Sequence, residues 1–263
     1  REVDYCSGAA LLIRRDLFER LGGFDERYAP AYCEDSDLAF RVRELGLKVY
    51  YQPASVVIHH EGVSHGTDEA QGGKAHQVVN QRRFEERWRE VLRRDHFDNG
   101  TCLFHARDRS RDRRCVLVID HYVPQPDRDA GSRTMFQILQ LLVRNGFNVK
   151  FWPHNVWYDP DYTPRLQQMG IEVFYGEEYY DRFAWLEHNA RFIDAFFVSR
   201  PDVAADVLPE IRSRARGRIV FYGHDIHHLR MLEQLRLEPG SLSLRPEQQR
   251  LQALEQQLWT QVD

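Results

Sequence analysis

The sequence predicts an α/β protein whose second half folds as a doubly wound parallel sheet. The apolar run at residues 115–119 is continuous, as a strand buried on both faces requires. Strand-like segments recur at residues 148–152, 172–175, 195–199 and 218–222, with helical segments between them, and that alternation builds parallel sheets. Residues 98–114 are polar, charged and without sustained periodicity, and the texture of the chain changes beyond them. The division expected is therefore residues 1–97, a linker at 98–114, and residues 115–263.

In the first segment, residues 3–13 are rich in apolar and small side chains and read as a buried strand or strand pair. Residues 14–21 carry Leu17, Phe18 and Leu21 at helical spacing, with Asp16 near the start and Gly22-Gly23 as the stop. Residues 35–45 place Leu38, Ala39, Val42 and Leu45 on one face before Gly46. Two short strands are expected at 49–51 and 55–59, separated by Pro53, and a glycine-rich polar loop at 62–73. Residues 77–94 then form a long charged helix striped by Val78, Phe84, Trp88, Val91 and Leu92. In the second segment, the strand at 115–119 leads through a loop at 120–131 into a helix at 132–145, which Gly146 ends.

Composition narrows the chemistry. The 263 residues carry a net charge of -4, which gives no general reason to expect a nucleic-acid partner. The basic run from Arg107 to Arg114 is interrupted by acidic residues and reads as solvated. Cys6, Cys33, Cys102 and Cys115 lack paired short spacing, which argues against a disulfide or metal scaffold and suits a reducing, cytoplasmic setting. No apolar stretch approaches the roughly 18 residues that cross a bilayer, and no signal peptide is expected. Opening at Arg1 directly in strand-like sequence, the chain is expected to be cut from the interior of a larger protein.

The densest chemistry lies at Glu34, Asp35 and Asp37, where a helix begins. A lone aspartate there is most often an N-cap, and Glu34 and Asp37 are equally readable as capping or surface groups. Three clustered carboxylates repel one another unless a cation or arginine compensates, which tilts the cluster toward function. His59 and His60 end an apolar strand, so one ring faces inward and the other outward. Such a histidine is either a satisfied core group or a ligand for a divalent metal. His65, on the polar loop, is expected in solvent.

These residues, taken with Tyr5-Cys6-Ser7-Gly8-Ala9, Leu12-Ile13-Arg14-Arg15 and Leu21-Gly22-Gly23-Phe24-Asp25-Glu26, resemble the C-terminal half of a family 2 inverting glycosyltransferase of the GT-A fold. The resemblance covers roughly residues 3–66. It implies that Asp35 is the general base that deprotonates the acceptor hydroxyl. His59, with His60 second, would help hold a divalent cation, Mg or Mn, that carries the donor diphosphate. Ser7, Gly8 and Ala9 would line the donor-sugar and acceptor pocket, with Glu34 and Asp37 beside them. The family's nucleotide-binding half, with its Asp-x-Asp motif, would precede Arg1, so this chain alone is not expected to transfer sugar.

In the second segment, Asp120 and His121 follow the first strand, and Gly131 opens a helix. A helix N-terminus after glycine can bind an anion, although an ordinary β–α turn accounts for it as readily. His224, Asp225, His227 and His228 follow the strand at 218–222, at the edge where doubly wound sheets place ligands. A zinc site there lacks complementary cysteines or carboxylates at ligand spacing. With the strand end at residues 194–201, these features resemble the acceptor-side, Rossmann-like domain of a family 4 glycosyltransferase of the GT-B fold, over residues 114–263. The resemblance implies that Gly131, His224 and Asp225 bind substrate.

The combined expectation is an internal part of a two-module enzyme using nucleotide-sugar donors to extend a cell-surface polysaccharide. Its acceptor would be a glycan or a lipid-linked glycan. Peripheral attachment to the inner face of the cytoplasmic membrane follows from that resemblance alone. Two other readings compete. One is a non-catalytic module that binds carbohydrate or a partner through Trp152, Trp157, Tyr158, Tyr162, Tyr179 and Tyr180. The other is a metal hydrolase, which the lack of a compact metal motif weakens.

Overall fold

A computed structural model of the chain describes residues 2–53, 55–58 and 74–263. The chain forms two compact units, Arg1–Arg111 and Asp112–Asp263.

The first unit is built from α1 (Arg15–Arg20), α2 (Glu34–Glu44), α3 (Lys74–Asp95) and the short α4 (Leu103–Ala106). Gly22 and Gly23 both take positive φ and return their amides to Glu19 and Phe18, which closes α1. The apolar face of α2 buries Leu38, Ala39, Phe40 and Val42. Phe40 meets Phe84 and Trp88 of α3 edge-on, at 5.0 and 5.2 Å between ring centres, and stacks on His96 at 5.2 Å. Asn80, buried on α3, donates to the carbonyls of Tyr28 and Ala31 at 2.7 Å each, which ties the loop before α2 to α3. Residues 98–111 belong to this unit: Phe104 is buried, and Arg109 pairs with Glu2 and Asp4.

The strands expected in this unit are not formed among the described residues. Residues 3–13 contain a single 3-10 turn, Gly8–Ala10, and Leu12 is 97% exposed. Residues 49–51 contribute one antiparallel bridge, Glu2 to Tyr50, and residues 55–58 are irregular, with Val56 and Ile58 exposed. A strand must hand half its backbone groups to a neighbour. Apolar sequence supplied the propensity here, but among the described residues of this unit pairing goes no further than the Glu2–Tyr50 bridge and the Val3 amide on the Val49 carbonyl.

The second unit matches expectation. Strands β1 (Cys115–Asp120), β2 (Asn148–Pro153), β3 (Glu172–Val173), β4 (Ala195–Ser199) and β5 (Arg218–Tyr222) form one all-parallel sheet in the order β3-β2-β1-β4-β5. Between them run α5 (Ala130–Arg144), α6 (Thr163–Gln168), α7 (Arg182–Asn189) and α8 (Pro201–Arg214), and after them α9 (His227–Leu237) and α10 (Leu244–Trp259). Alternation along β1 sends Val116 and Val118 into one core with Met135 and Leu139 of α5 and Leu166 of α6. Leu117 and Ile119, equally buried, face the opposite way, so both faces of the sheet are covered. This is a Rossmann-like α/β fold. Its third strand has two residues, Glu172 and Val173, where four were expected, and the last bond to β2 is the Phe174 amide on the Phe151 carbonyl at 2.9 Å.

Sheet order decides where ligands gather. The chain steps from β1 out to β2 and β3, then returns to the other side of β1 for β4 and β5. The loops after β1 and β4 therefore diverge and leave a crevice at the carboxyl ends of these neighbouring strands.

Candidate functional site

In the first unit, Asp35 sits in the opening turn of α2, after two consecutive non-glycine residues at positive φ, Tyr32 and Cys33. Such backbone is strained and persists where its surroundings hold it. Asp35 Oδ2 accepts from the Gly8 amide at 2.8 Å, and Oδ1 accepts from the Ser36 amide at 2.6 Å. Ser7 Oγ accepts from the Ala9 amide at 3.3 Å and closes the turn that presents Gly8. The segment Ser7-Gly8-Ala9 is thus brought against Asp35 from 27 residues away. A Cβ at Gly8 would lie 3.5 Å from Asp35 Oδ2, so glycine keeps the approach to the carboxylate open. Asp35 is half-buried and each of its oxygens keeps acceptor capacity, the state a proton acceptor needs. Beside it, Glu34 has one buried oxygen without a hydrogen-bond partner among the described residues.

Asp37 occupies a different place from the one the motif suggested. It is fully buried: Oδ1 accepts from Trp88 Nε1 at 2.9 Å and Tyr28 Oη at 3.3 Å and forms an ion pair with Arg87 at 2.9 Å, and Oδ2 accepts from Arg41 at 2.7 Å. No surface is left with which to meet a ligand. Arg41 goes on to donate to the carbonyls of Leu21 and Gly23, and Arg87 to Asp25. Burial, with the Asp37 charge next, pushes the Tyr28 hydroxyl up to about 12 and keeps it a donor. The arginines answer the repulsion between clustered carboxylates. The i, i+4 spacing of Asp37 and Arg41 was a readable signal of that pairing, whereas Tyr28, Arg87 and Trp88 had none. His59 and His60 lie outside the described residues.

In the second unit, the crevice between β1 and β4 collects a polar network. Asp120 Oδ1 accepts from Arg200 Nε at 2.9 Å and from the His121 amide at 2.8 Å. Burial pushes the Asp120 carboxyl up, but the His121 hydrogen bond and the Arg200 charge outweigh it and hold the pKa below the ordinary value. Ser199, fully buried at the end of β4, bonds His224 Nε2 at 2.8 Å. Asp129 caps α5, taking the Ser132 amide on Oδ1 at 2.7 Å and the Ser132 and Tyr122 hydroxyls on Oδ2 at 2.6 and 2.9 Å. Gly131 and His224, expected in one site, do meet here: a Cβ on Gly131 would lie 3.5 Å from His224 Nδ1.

Asp225 belongs elsewhere. Its carboxylate pairs with His227 at 3.2 Å and Arg230 at 3.4 Å, at the start of α9. There Glu255 of α10 accepts from the His227 and His228 amides at 2.8 and 3.1 Å and from His228 Nδ1 at 2.5 Å, so a side chain from another helix caps α9. Among the described residues no group of three or more metal-ligating side chains comes together. No helix among them is long and apolar enough to cross a membrane.

Comparison with known proteins points to sugar transfer. Over 76 residues the chain is 45% identical to an N-acetylglucosaminyl-diphospho-decaprenol L-rhamnosyltransferase of Mycobacterium tuberculosis, covering 29% of this chain and 24% of that protein. It is 43% identical over 58 residues to the rhamnosyltransferase WbbL of Escherichia coli K12, covering 22% of each chain. It is 40% identical over 63 residues to the O-antigen biosynthesis protein RfbC of Myxococcus xanthus, covering 24% of this chain and 5% of that one. The chain thus spans no more than about a quarter of the length of these relatives. No family model and no solved structure matches it.

Proposed function

We propose that the chain is part of a glycosyltransferase that builds a cell-surface polysaccharide, with Asp35 as its general base. The observation that carries this is the clasp between Asp35 and Gly8. It holds an accessible carboxylate against the segment that resembles a sugar pocket, in a chain similar over a short stretch to two proteins named as rhamnosyltransferases and one named for O-antigen biosynthesis. An acceptor hydroxyl reaching Asp35 would give up its proton to the carboxylate as its oxygen bonds the anomeric carbon of a nucleotide-sugar. The bond from that carbon to the diphosphate breaks, its electron pair leaves with the nucleotide, and the configuration inverts. The Gly8 and Ser36 amides orient the carboxylate for this step.

The finer assignments extend the same proposal. The first unit would be family 2, GT-A type, and the second the acceptor-side part of a family 4, GT-B type module. The acceptor would be a glycan or lipid-linked glycan met at the cytoplasmic membrane face. A divalent cation would supply charge neutralisation to the departing diphosphate. The described residues assemble no ligand set for it, so its assignment to His59 and His60 rests on the resemblance and no step is routed through it.

A carbohydrate-binding module without chemistry is less well supported. Of the aromatic residues that reading relies on, Trp152 and Tyr162 are core, and Tyr179 packs on Trp152 at 5.8 Å between ring centres. The test is the stereochemistry of transfer by the full-length gene product, read by NMR of the new linkage. An anomeric configuration opposite to the donor's supports a single displacement at Asp35. Retention, or no transfer to polyprenyl-linked acceptors, overturns it.

A further inference from the structure

We infer that Asp4 is a positioning residue for the Asp35 carboxylate, held by Arg43 of α2 and by Arg109 of the segment that leads into the second unit. Asp4 Oδ1 accepts from Arg43 Nη1 at 3.0 Å and pairs with Arg109 Nε at 2.8 Å, while Oδ2 faces His96 Nδ1 at 3.4 Å. Arg109 also pairs with Glu2. The N-terminal segment, the end of α2 and residues 96–109 thus converge on one carboxylate, four residues ahead of Gly8. Burial pushes the Asp4 carboxyl up, but the His96 contact and the Arg43 and Arg109 charges outweigh it and hold the pKa below the ordinary value. Asp4 is therefore ionised at neutral pH.

Spacing connects this cluster to the chemistry. Arg43 lies eight residues after Asp35 on α2, about 12 Å along the helix axis. Asp4 lies four residues before Gly8, a stretch that can span about 14 Å. The segment from Asp4 to Gly8 accordingly runs back along α2 and is fastened at both ends, Asp4 to Arg43 and the Gly8 amide to Asp35 at 2.8 Å. Residues 3–7 belong to no helix or strand, and Tyr5 is 52% exposed. The Val3 amide and the Cys6 thiol reach the Val49 and Tyr50 carbonyls, in an irregular stretch rather than a sheet. With so little slack, a shift at Asp4 passes to Gly8 and from there to the carboxylate that Gly8 orients.

Arg109 reaches Asp4 from a strained backbone. It is a non-glycine residue at φ of 51°, in the turn that closes α4. Ser110 holds that turn, its amide and hydroxyl both donating to the His105 carbonyl, at 3.0 and 2.9 Å. Arg111 donates to the carbonyls of Arg93 and His96 at the end of α3. These bonds fix the turn without help from Asp4, so Arg109 holds Asp4 rather than following it. Arg43 and Arg109 are also like charges brought together: burial, and then the Arg109 charge, push the Arg43 pKa down. The shared Asp4 carboxylate offsets that repulsion, and the approach of the segment to α2 depends on it.

The inference rests on the general-base reading only in its kinetic arm. In the isotope-labelled chain the Gly8 amide reports the clasp, and its hydrogen exchange is compared in the parent, Asp4→Ala, Arg109→Met and Lys48→Met. Asp4→Ala and Arg109→Met should each speed Gly8 exchange by about tenfold or more. The Trp88 indole N–H, which donates to Asp37, and the α2 amides at 38–44 should keep the parent's protection. Lys48→Met removes only an exposed pair with Glu2 at 3.1 Å and should leave Gly8 unchanged. In the full-length gene product, Arg109→Met should lower kcat by up to about 10²-fold, as misplacement of a reacting group does, with the donor KM within about twofold. Gly8 exchange at the parent rate in both variants would overturn the inference. So would a parallel loss of protection at Trp88 and α2, which makes the cluster a plain stabiliser, or parent kcat in Arg109→Met where Asp35→Asn is inactive. Normal turnover by Asp35→Asn would remove the base and leave the Gly8 result standing, so the two failures are separable.

Discussion

Asp35 and Asp37 stand two residues apart on one helix and live in different worlds. About 200° of rotation separates them, so that one faces the Ser7-Gly8-Ala9 turn while the other is driven into the core. There it meets two arginines, an indole and a phenol. Removing Asp37 takes away the buried charge that Arg41 and Arg87 share, and breaking a buried pair in this way costs about 3–5 kcal/mol. Asp37→Ala should therefore lower the unfolding free energy of the first unit, read from its urea transition, by that amount. A midpoint near the parent's would show that the arginines find water instead. From sequence, the carboxylate cluster at the helix start was legible and so was its clash of charges. Which member is buried was not, because Trp88 and Arg87 reach Asp37 across 51 and 50 residues of intervening chain.

Elements were readable to the extent that their partners are supplied by neighbouring sequence. The helices at residues 15–20, 34–44 and 74–95 carry their own stops and stripes, and the β1 run is apolar enough to demand burial on both faces. The apolar segments at 3–13 and 55–58 had the same composition, yet composition cannot supply the sheet neighbour that makes a strand. Tertiary capping was equally invisible: Glu255 is 27–28 residues from the amides it satisfies at the start of α9. Glu255→Ala should raise amide exchange at 227–230 severalfold while β1 stays protected, and equal protection would remove Glu255 as the cap. At the start of β5, a Cβ on Gly217 would come 2.7 Å from the Asp194 carbonyl oxygen, closer still to that of Ile193. Neither backbone oxygen can yield without shifting β4. Gly217→Ala is expected to destabilise the second unit by about 1–3 kcal/mol, as overpacking does, and an unchanged thermal midpoint would contradict the close packing.

At the scale of the whole chain, acid stability follows from where carboxylates are held. Burial raises Asp120, Asp129 and Glu255, but hydrogen bonds from His121, Ser132 and His228 respectively leave each below its ordinary pKa. Asp206 is lowered first by its hydrogen bond from His154. Depressed folded values mean that the unfolded chain takes up protons first, so stability is present above about pH 4 and is lost as pH falls through the lowered values. His224, also depressed, adds a shallower loss beginning near pH 6.5. The thermal midpoint of the second unit should decline gently below neutrality and steeply below about pH 4. A midpoint that rises on acidification would reverse the sign of these shifts.

One measurement reaches the chemistry most directly. It is single-turnover sugar transfer by the full-length gene product, comparing the parent with Asp35→Asn while donor binding is followed separately. Loss of a general base lowers the rate by about 10²–10⁴-fold, and donor affinity should stay within a few-fold because the side chain keeps its size and its one amide oxygen can still accept from Gly8 or from Ser36. Turnover near the parent rate with the asparagine in place would contradict Asp35 as the base, and a parallel collapse of donor binding would make it a binding residue instead.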